Sequence, residues 1–202
     1  MSIRNDIVNQ AVILLGADVV TSVEDDSAQA DIMKRLYPLS RDATLEAFEW
    51  SFAIRRFIPA ASVDAPEWKW AYAYPLPSDI IRLLQVDRGP YGLNFSSDMQ
   101  RNEVDHVLEG REILTNENPI YCTGIRRIED EGIYSNLFCD ALSAKLAMKA
   151  CYAITESNSK MEAMAALYAK FIDEAKSRDG QQGTTRRLRS HWLNASRRGR
   201  YG

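Results

Sequence analysis

The densest chemical signal in this sequence lies in residues 180–202. Arg186, Arg187, Arg189, Arg197, Arg198 and Arg200 stand there without a single acid, and Leu188, Trp192, Leu193 and Tyr201 are set among them. A guanidinium group stays charged and offers a planar fork of donors that matches carboxylate or phosphate. Arginine beside an aromatic anchor is also the composition from which interfaces draw most of their binding energy. The plainest reading of such a run is a solvated chain end, but a merely solubilising tail has little use for Trp192. The segment therefore reads as a docking arm, and its composition alone leaves a protein partner and nucleic-acid phosphates both open. It carries +6, which leaves −9 on the rest of a chain whose net charge is −3.

Other reactive residue types are present without a constellation. His106 and His191 are far apart and have no evident nucleophile beside them, and His106 is most simply a surface or edge residue at a strand start. Cys122, Cys139 and Cys151 are odd in number, widely spaced and without a CxxC pair. That argues against a disulfide framework or a zinc site and for three reduced thiols in or near the core. Asp25-Asp26 and Glu129-Asp130-Glu131 could be imagined as a glycosidase's two carboxylates, but that chemistry needs a fixed separation across a cleft. Loop and cap acids are the simpler reading. No Gly-rich phosphate loop, G-x-S-x-G, H-E-x-x-H or calcium loop occurs. The expectation is a protein that is not an enzyme and uses no cofactor and no metal.

These groups need elements to hold them. Ile3, Ile7, Ala11, Leu14 and Leu15 follow a 3.6-residue period, and Gly16 is a natural stop. A second helix starts at the N-cap Ser27 and runs with Ala28, Ile32, Leu36, Leu39, Ala43, Ala47 and Trp50 on one face. Pro38 interrupts it, but the apolar phase continues, so one kinked helix is expected rather than two. Trp68, Trp70, Tyr72 and Tyr74 then alternate as in a strand that Pro75 and Pro77 end. This strand reads as a packing surface in preference to a base-stacking one. Ile80–Val86 is a further strand, and Gly89-Pro90 with Tyr91-Gly92 mark a loop. A hairpin around Glu109-Gly110-Arg111 spans His106–Thr115, and Ile120–Ile125 supplies another strand.

The helical period returns with Phe138, Leu142, Leu146, Ala150 and Ala153, flanked by the small residues Ala141, Ala144 and Ala147. Ser159 and Glu162 have capping-box spacing ahead of Met161, Met164, Ala165, Tyr168, Phe171, Ile172 and Ala175. That pattern stops near Arg178, with Gly180 and Gly183 as a flexible root for the arm. The predicted fold class is α+β. A mainly helical bundle body (1–56 and 131–179, discontinuous) carries a β-rich insertion (57–130) and an extended, flexible Arg-rich arm (180–202). No run approaches the roughly 20 apolar residues of a membrane span. The opening MSIRNDIVNQ has no basic region followed by an apolar run, so no secretory leader is expected.

Five segments stand out in order: IVNQAVILLGA at 7–17, YPLSRDATLEAFEWSFAIRR at 37–56, WAYAYPLPSDIIRLLQV at 70–86, ILTNENPIYCTGI at 113–125 and NLFCDALSAKLAMKACYAITES at 136–157. Together they resemble one family, the tail tubular protein A or head-to-tail adaptor family of short-tailed bacteriophages. The resemblance runs in order to about residue 178, with W-S-F-A and Y-P-L-P-S-D its most specific elements. It implies a helical body carrying a β domain and a non-enzymatic virion protein of the tail neck, assembled in the host cytoplasm. Typically twelve such copies form a ring below the portal protein, a tail nozzle protein attaches beneath, and genomic DNA leaves through the channel. No membrane is involved. The implied partner of the arm is the portal. Two other readings stand beside this one: a nucleic-acid-binding protein using the arm, and a tail-associated glycan hydrolase.

Overall fold

The first helix, α1, runs Ile3–Leu14 in the computed structural model, which describes residues 2–89 and 103–182. The loop expected at Gly89-Pro90 and Tyr91-Gly92 lies almost wholly outside the described residues, as does everything beyond Gln182. Helix α1 buries Ile7, Val8, Ala11 and Val12, while Ile3 is left exposed. Gly16 ends the helix at φ +69, a backbone region that glycine enters without penalty. The link that follows folds back on α1 through Asn9. Its amide donates to the carbonyl of Val20 at 3.0 Å, and its oxygen accepts from the Val20 N–H at 2.9 Å.

Helix α2 (Ala28–Glu46) begins as expected. The Ser27 side chain accepts from the Ala30 N–H, and the helix passes through Pro38 unbroken. Its buried face is not the expected one. Ala30, Met33, Tyr37, Ser40, Arg41, Thr44 and Leu45 point inward, whereas Leu39 is 62% exposed and Ala28 and Ala47 also face solvent. The helix is rotated because its inward polar groups find partners, as described below for Tyr37 and Arg41. Trp50, beyond the helix end, is fully buried in ring contact with Phe48, Phe52 and Phe138, and Tyr134 joins the cluster through Phe52 and Phe138. Its indole N–H donates to the Thr44 carbonyl at 2.9 Å.

Helix α3 (Asn136–Thr155) is capped by Ser135, which accepts from the Phe138 N–H. Helices α1 and α2 pack on it, and so does α4 (Asn158–Gln182). Ala141, Ala144 and Ala147 are wholly buried, small enough to let those neighbours close in. The start of α4 departs from the sequence expectation. Glu156 takes the left-handed conformation at φ 51, so Ser157 caps the new helix by accepting from the Lys160 N–H at 3.3 Å. Ser159 is already inside the first turn, so no S-x-x-E box forms. Ile172, Ala175 and Asp179 are buried, but Met161 and Ala165 are exposed. The helix also continues through Gly180 to Gln182 rather than stopping near Arg178.

The strands are β1 (Ile54–Phe57), β2 (Tyr72–Pro75), β3 (Ile80–Asp87), β4 (His106–Glu109), β5 (Glu112–Thr115) and β6 (Tyr121–Arg126). They form two three-stranded sheets, ordered β1-β6-β3 and β2-β5-β4. In the second sheet β4 and β5 are the expected hairpin, with Glu109 opposite Glu112 and Gly110 turning at φ +59. Strand β2 pairs antiparallel to β5 only from Tyr72, opposite Thr115, to Pro75. The expected strand from Trp68 is thus cut short. Its partner ends at Thr115, the Ala71 N–H turns to the side chain of Asn116, and Lys69 sits at φ +70 in a turn. Trp68 is 77% exposed there.

The chain is therefore mixed α and β, with four α-helices and two small sheets among the described residues. It divides into two units. The first comprises Met1–Phe57, Pro77–Leu84 and Thr123–Gln182, and holds all four helices. The second includes Ile58–Leu76 and Gln85–Cys122 and is built on the β2-β5-β4 sheet. Its interior contains Tyr74, Val86, Val104, Ile113, Ile120 and Cys122. The Tyr74 hydroxyl donates to the Glu117 carbonyl at 2.9 Å, and Thr115 donates to the Asp105 carbonyl at 2.9 Å.

Candidate functional site

The residues expected to form a docking arm, Arg186, Arg187, Leu188, Arg189, Trp192, Leu193, Arg197, Arg198 and Arg200, lie outside the described residues, as does His191. What the structure does place is the end of the helix that leads to them. Asp179 is 8% exposed, and its carboxylate accepts from the Ser51 N–H at 2.9 Å and the Ser51 hydroxyl at 2.8 Å. An acid near a helix C-terminus opposes the helix dipole. Asp179 is therefore stabilised by these two bonds and not by its helix.

A second site lies within the first unit and joins three stretches of chain. Ser2 and Arg4 come from the start of α1, Tyr37, Pro38 and Arg41 from the middle of α2, and Glu129 and Glu131 from the turn before α3. Together they line a cleft of about 540 Å³. The Tyr37 hydroxyl donates to Glu131 Oε1 at 3.2 Å, a contact between residues far apart in sequence. Burial raises the Tyr37 phenol pKa, and the neighbouring Glu131 raises it further, so the group remains a neutral donor. The Arg4 guanidinium lies over the Tyr37 ring at 5.0 Å from its centroid, within cation–π range.

Arg41 is the most enclosed charge of the site, its side chain only 10% exposed. Its Nε donates to Asp42 Oδ1 at 2.9 Å, and the other Asp42 oxygen accepts from Arg127 Nε at 2.8 Å. This Arg–Asp–Arg chain holds the Arg41 stem in place. Its Nη2 stands 3.8 Å from Glu129 Oε1, beyond hydrogen-bond reach. Arg4 Nε is buried and makes no hydrogen bond among the described residues. Two guanidinium groups and two carboxylates thus share one open cleft, arranged to meet a group that carries charge itself.

The acidic pairs resolve individually. Asp25 accepts from the Ser22 N–H and Asp130 from the Gly132 N–H, both local turn caps as expected. Glu129 and Glu131 instead line the cleft. Glu129 is 77% exposed, with its Oε1 3.8 Å from Arg41 Nη2. His106 sits on β4, an edge position of its sheet as described, with Nδ1 2.8 Å from the Val104 carbonyl. The three cysteines are unpaired thiols, with Cys122 and Cys151 buried and Cys139 half-buried.

Sequence reasoning missed Arg4, Tyr37 and Arg41. The available signal was polar: Tyr37, Ser40, Arg41 and Thr44 share a face of α2, and choosing the more apolar stripe turned that face outward. In the second unit, Ile58, Val63 and Trp68 are each exposed along the stretch between β1 and β2. Compared with known proteins, the chain matches no family model and no curated sequence.

Proposed function

We propose that this chain is a structural virion protein, the head-to-tail adaptor of a short-tailed bacteriophage. In this reading it forms a ring, typically of twelve copies, between the portal protein and the tail nozzle. The ring extends the channel through which genomic DNA leaves, in the neck of the virion. The chain has no catalytic role. Helices α1, α2 and α4 around α3 act as a bundle body, the second unit is a β-rich insertion, and the Arg-rich arm docks on the portal.

The observation that carries the reading is where the most specific resembling elements fall. In W-S-F-A, Trp50 and Ala53 are fully buried, Phe52 joins the aromatic cluster, and Ser51 ties the end of α4 through Asp179. In Y-P-L-P-S-D, Tyr74 is buried, the Asp79 carbonyl accepts from the Arg127 N–H, and the Asp79 carboxylate pairs with Arg55. These are positions where a shared fold constrains residue type, and the first of them also secures the helix from which the arm continues. The exposed Ile58, Val63 and Trp68 further suit a protein that completes its surface on partners.

Electron microscopy of the chain mixed with its portal tests the proposal. A ring of adaptor density on the portal is expected. A tight dimer closed by a two-fold axis, with no portal association, would overturn it, since such a contact cannot propagate around a ring.

A further inference from the structure

We infer that the cleft of Arg4, Tyr37, Arg41, Glu129 and Glu131 is a receptor for a carboxylate-bearing peptide segment, its carboxylate gripped between Arg4 and Arg41. The inference rests on the cleft alone and stands independently of the adaptor reading.

The donors are the starting point. Arg41 is nine-tenths enclosed and spends its Nε on Asp42, while neither of its Nη groups makes a hydrogen bond among the described residues. Arg4 has a buried Nε without a partner, and its Nη1 is 3.9 Å from Glu24, again beyond hydrogen-bond reach. Guanidinium donors held in a partly desolvated wall are costly to leave unmade, and a carboxylate satisfies them two at a time in a fork-to-fork pair. Both stems are already ordered, Arg41 by the Asp42–Arg127 chain and Arg4 by the Tyr37 ring, so little side-chain freedom is lost on binding.

The acids of the same cleft decide what kind of anion fits. Glu131 is engaged by Tyr37, whereas Glu129 stands 3.8 Å from Arg41 Nη2 without a hydrogen bond to it and, being 77% exposed, can turn to a cation on an incoming segment. The two carboxylates offset the two guanidinium charges, so the cleft presents no net positive field to a polyanion. A doubly charged phosphate, or a nucleic-acid backbone, would meet Glu129 and Glu131 as repulsion. A single carboxylate with a basic neighbour matches the wall at both ends. The cleft is open to solvent and bordered in sequence by exposed Ile3 and Ile133, which suits a segment laid across it and not a free small molecule.

The test uses the full chain and three probes: acetyl-Lys-Glu-Lys-amide, its Gln counterpart, and inorganic phosphate at matched ionic strength. Nitrogen-15 resonances of the arginine Nε groups report binding at each guanidinium. The Glu peptide is expected to give saturable shifts at Arg4 and Arg41, at least roughly tenfold tighter than the Gln peptide or phosphate. Arg4→Gln should weaken the Glu peptide by a similar factor, and Arg41→Lys should do so while keeping the charge. Should Arg41→Lys fail to fold, Arg4→Gln decides, because Arg4 is one-third exposed and outside the Asp42 chain. Equal affinity for the Glu and Gln peptides, tighter saturation by phosphate, or wild-type binding by Arg4→Gln would each overturn the inference.

Discussion

At the scale of single residues, the thiols show how burial sets chemistry. Desolvation pushes the Cys139 pKa up to about 11, helped by the neighbouring Asp140, and pushes Cys122 up to about 12, with Asp87 adding to it. Two consequences follow. At pH 8 these two thiols hold far less thiolate than a free cysteine, so disulfide-exchange reagents should label Cys122 and Cys139 at least ~100-fold more slowly in the native chain than in the urea-unfolded chain. Comparable rates in the two states would contradict the burial. The same shifts make stability depend on alkali. A pKa raised by folding means the native state holds its proton longer than the unfolded state does. The stabilisation is complete below the ordinary thiol range near pH 9 and is lost as pH climbs toward 11–12. Urea midpoints measured from pH 7 to pH 11 should stay level at first and then fall. A Cys139→Ala, Cys122→Ala double variant should flatten part of that decline, whatever its starting stability.

At the scale of elements, α2 and α4 each carry a testable irregularity. Pro38 removes one N–H from the middle of α2, and its ring is exposed. Pro38→Ala restores the bond to the Lys34 carbonyl and should raise stability by about 2 kcal/mol, after allowing for a freer unfolded chain. A fall in melting temperature would show that the proline is needed for the shape of the cleft wall. Asp179→Ala removes the shared acceptor of the Ser51 N–H and hydroxyl; Ser51 is exposed, so water can take the place of the carboxylate and the cost should be about 1 kcal/mol. Asp179→Asn keeps one acceptor oxygen and should lose less. Hydrogen exchange at the last turn of α4 would report the loosening directly.

Much of this architecture was legible in the sequence: the glycine stop of α1, the Ser27 cap, the Gly110 hairpin and the α3 stripe from Phe138 to Ala150, although Ala153, expected on the same face, is exposed. What could not be read was decided by partners distant in sequence. The apolar stripe through Leu39 is as regular as the true buried face. Only Glu131 and the Asp42–Arg127 chain, more than eighty residues away in the case of Arg127, select the face carrying Tyr37 and Arg41. Strand β2 likewise starts at Tyr72 because β5 ends at Thr115. Arg4 and Arg41 escaped notice for the same reason, since isolated charges on two helices become a site only when a third segment arrives opposite them.

At the scale of the whole molecule, charge is divided between an acidic chain and a basic arm, +6 against −9. Helix α4 runs to Gln182 with Asp179 fastened, so the part of the arm to remove is 183–202 and not 180–202. Deleting it takes away all six arginines and Trp192 without touching the Ser51 contact, and the truncated chain should melt cooperatively near the full-length value. On the proposed function, this body should no longer dock on the portal. Trp192→Ala sharpens the test because it removes the aromatic anchor and leaves every charge in place. An interface that draws its energy from a buried aromatic should lose about 2 kcal/mol or more on that change, roughly thirtyfold in affinity. An arm that acts only through charge should lose almost nothing and should instead weaken steeply with salt. Portal docking measured for both variants across a salt series separates the two. Docking lost with Trp192→Ala and only mildly salt-dependent supports a protein-binding arm. Normal docking by the truncated chain, with DNA escaping from assembled particles, would move the arm's role to the channel and its phosphates.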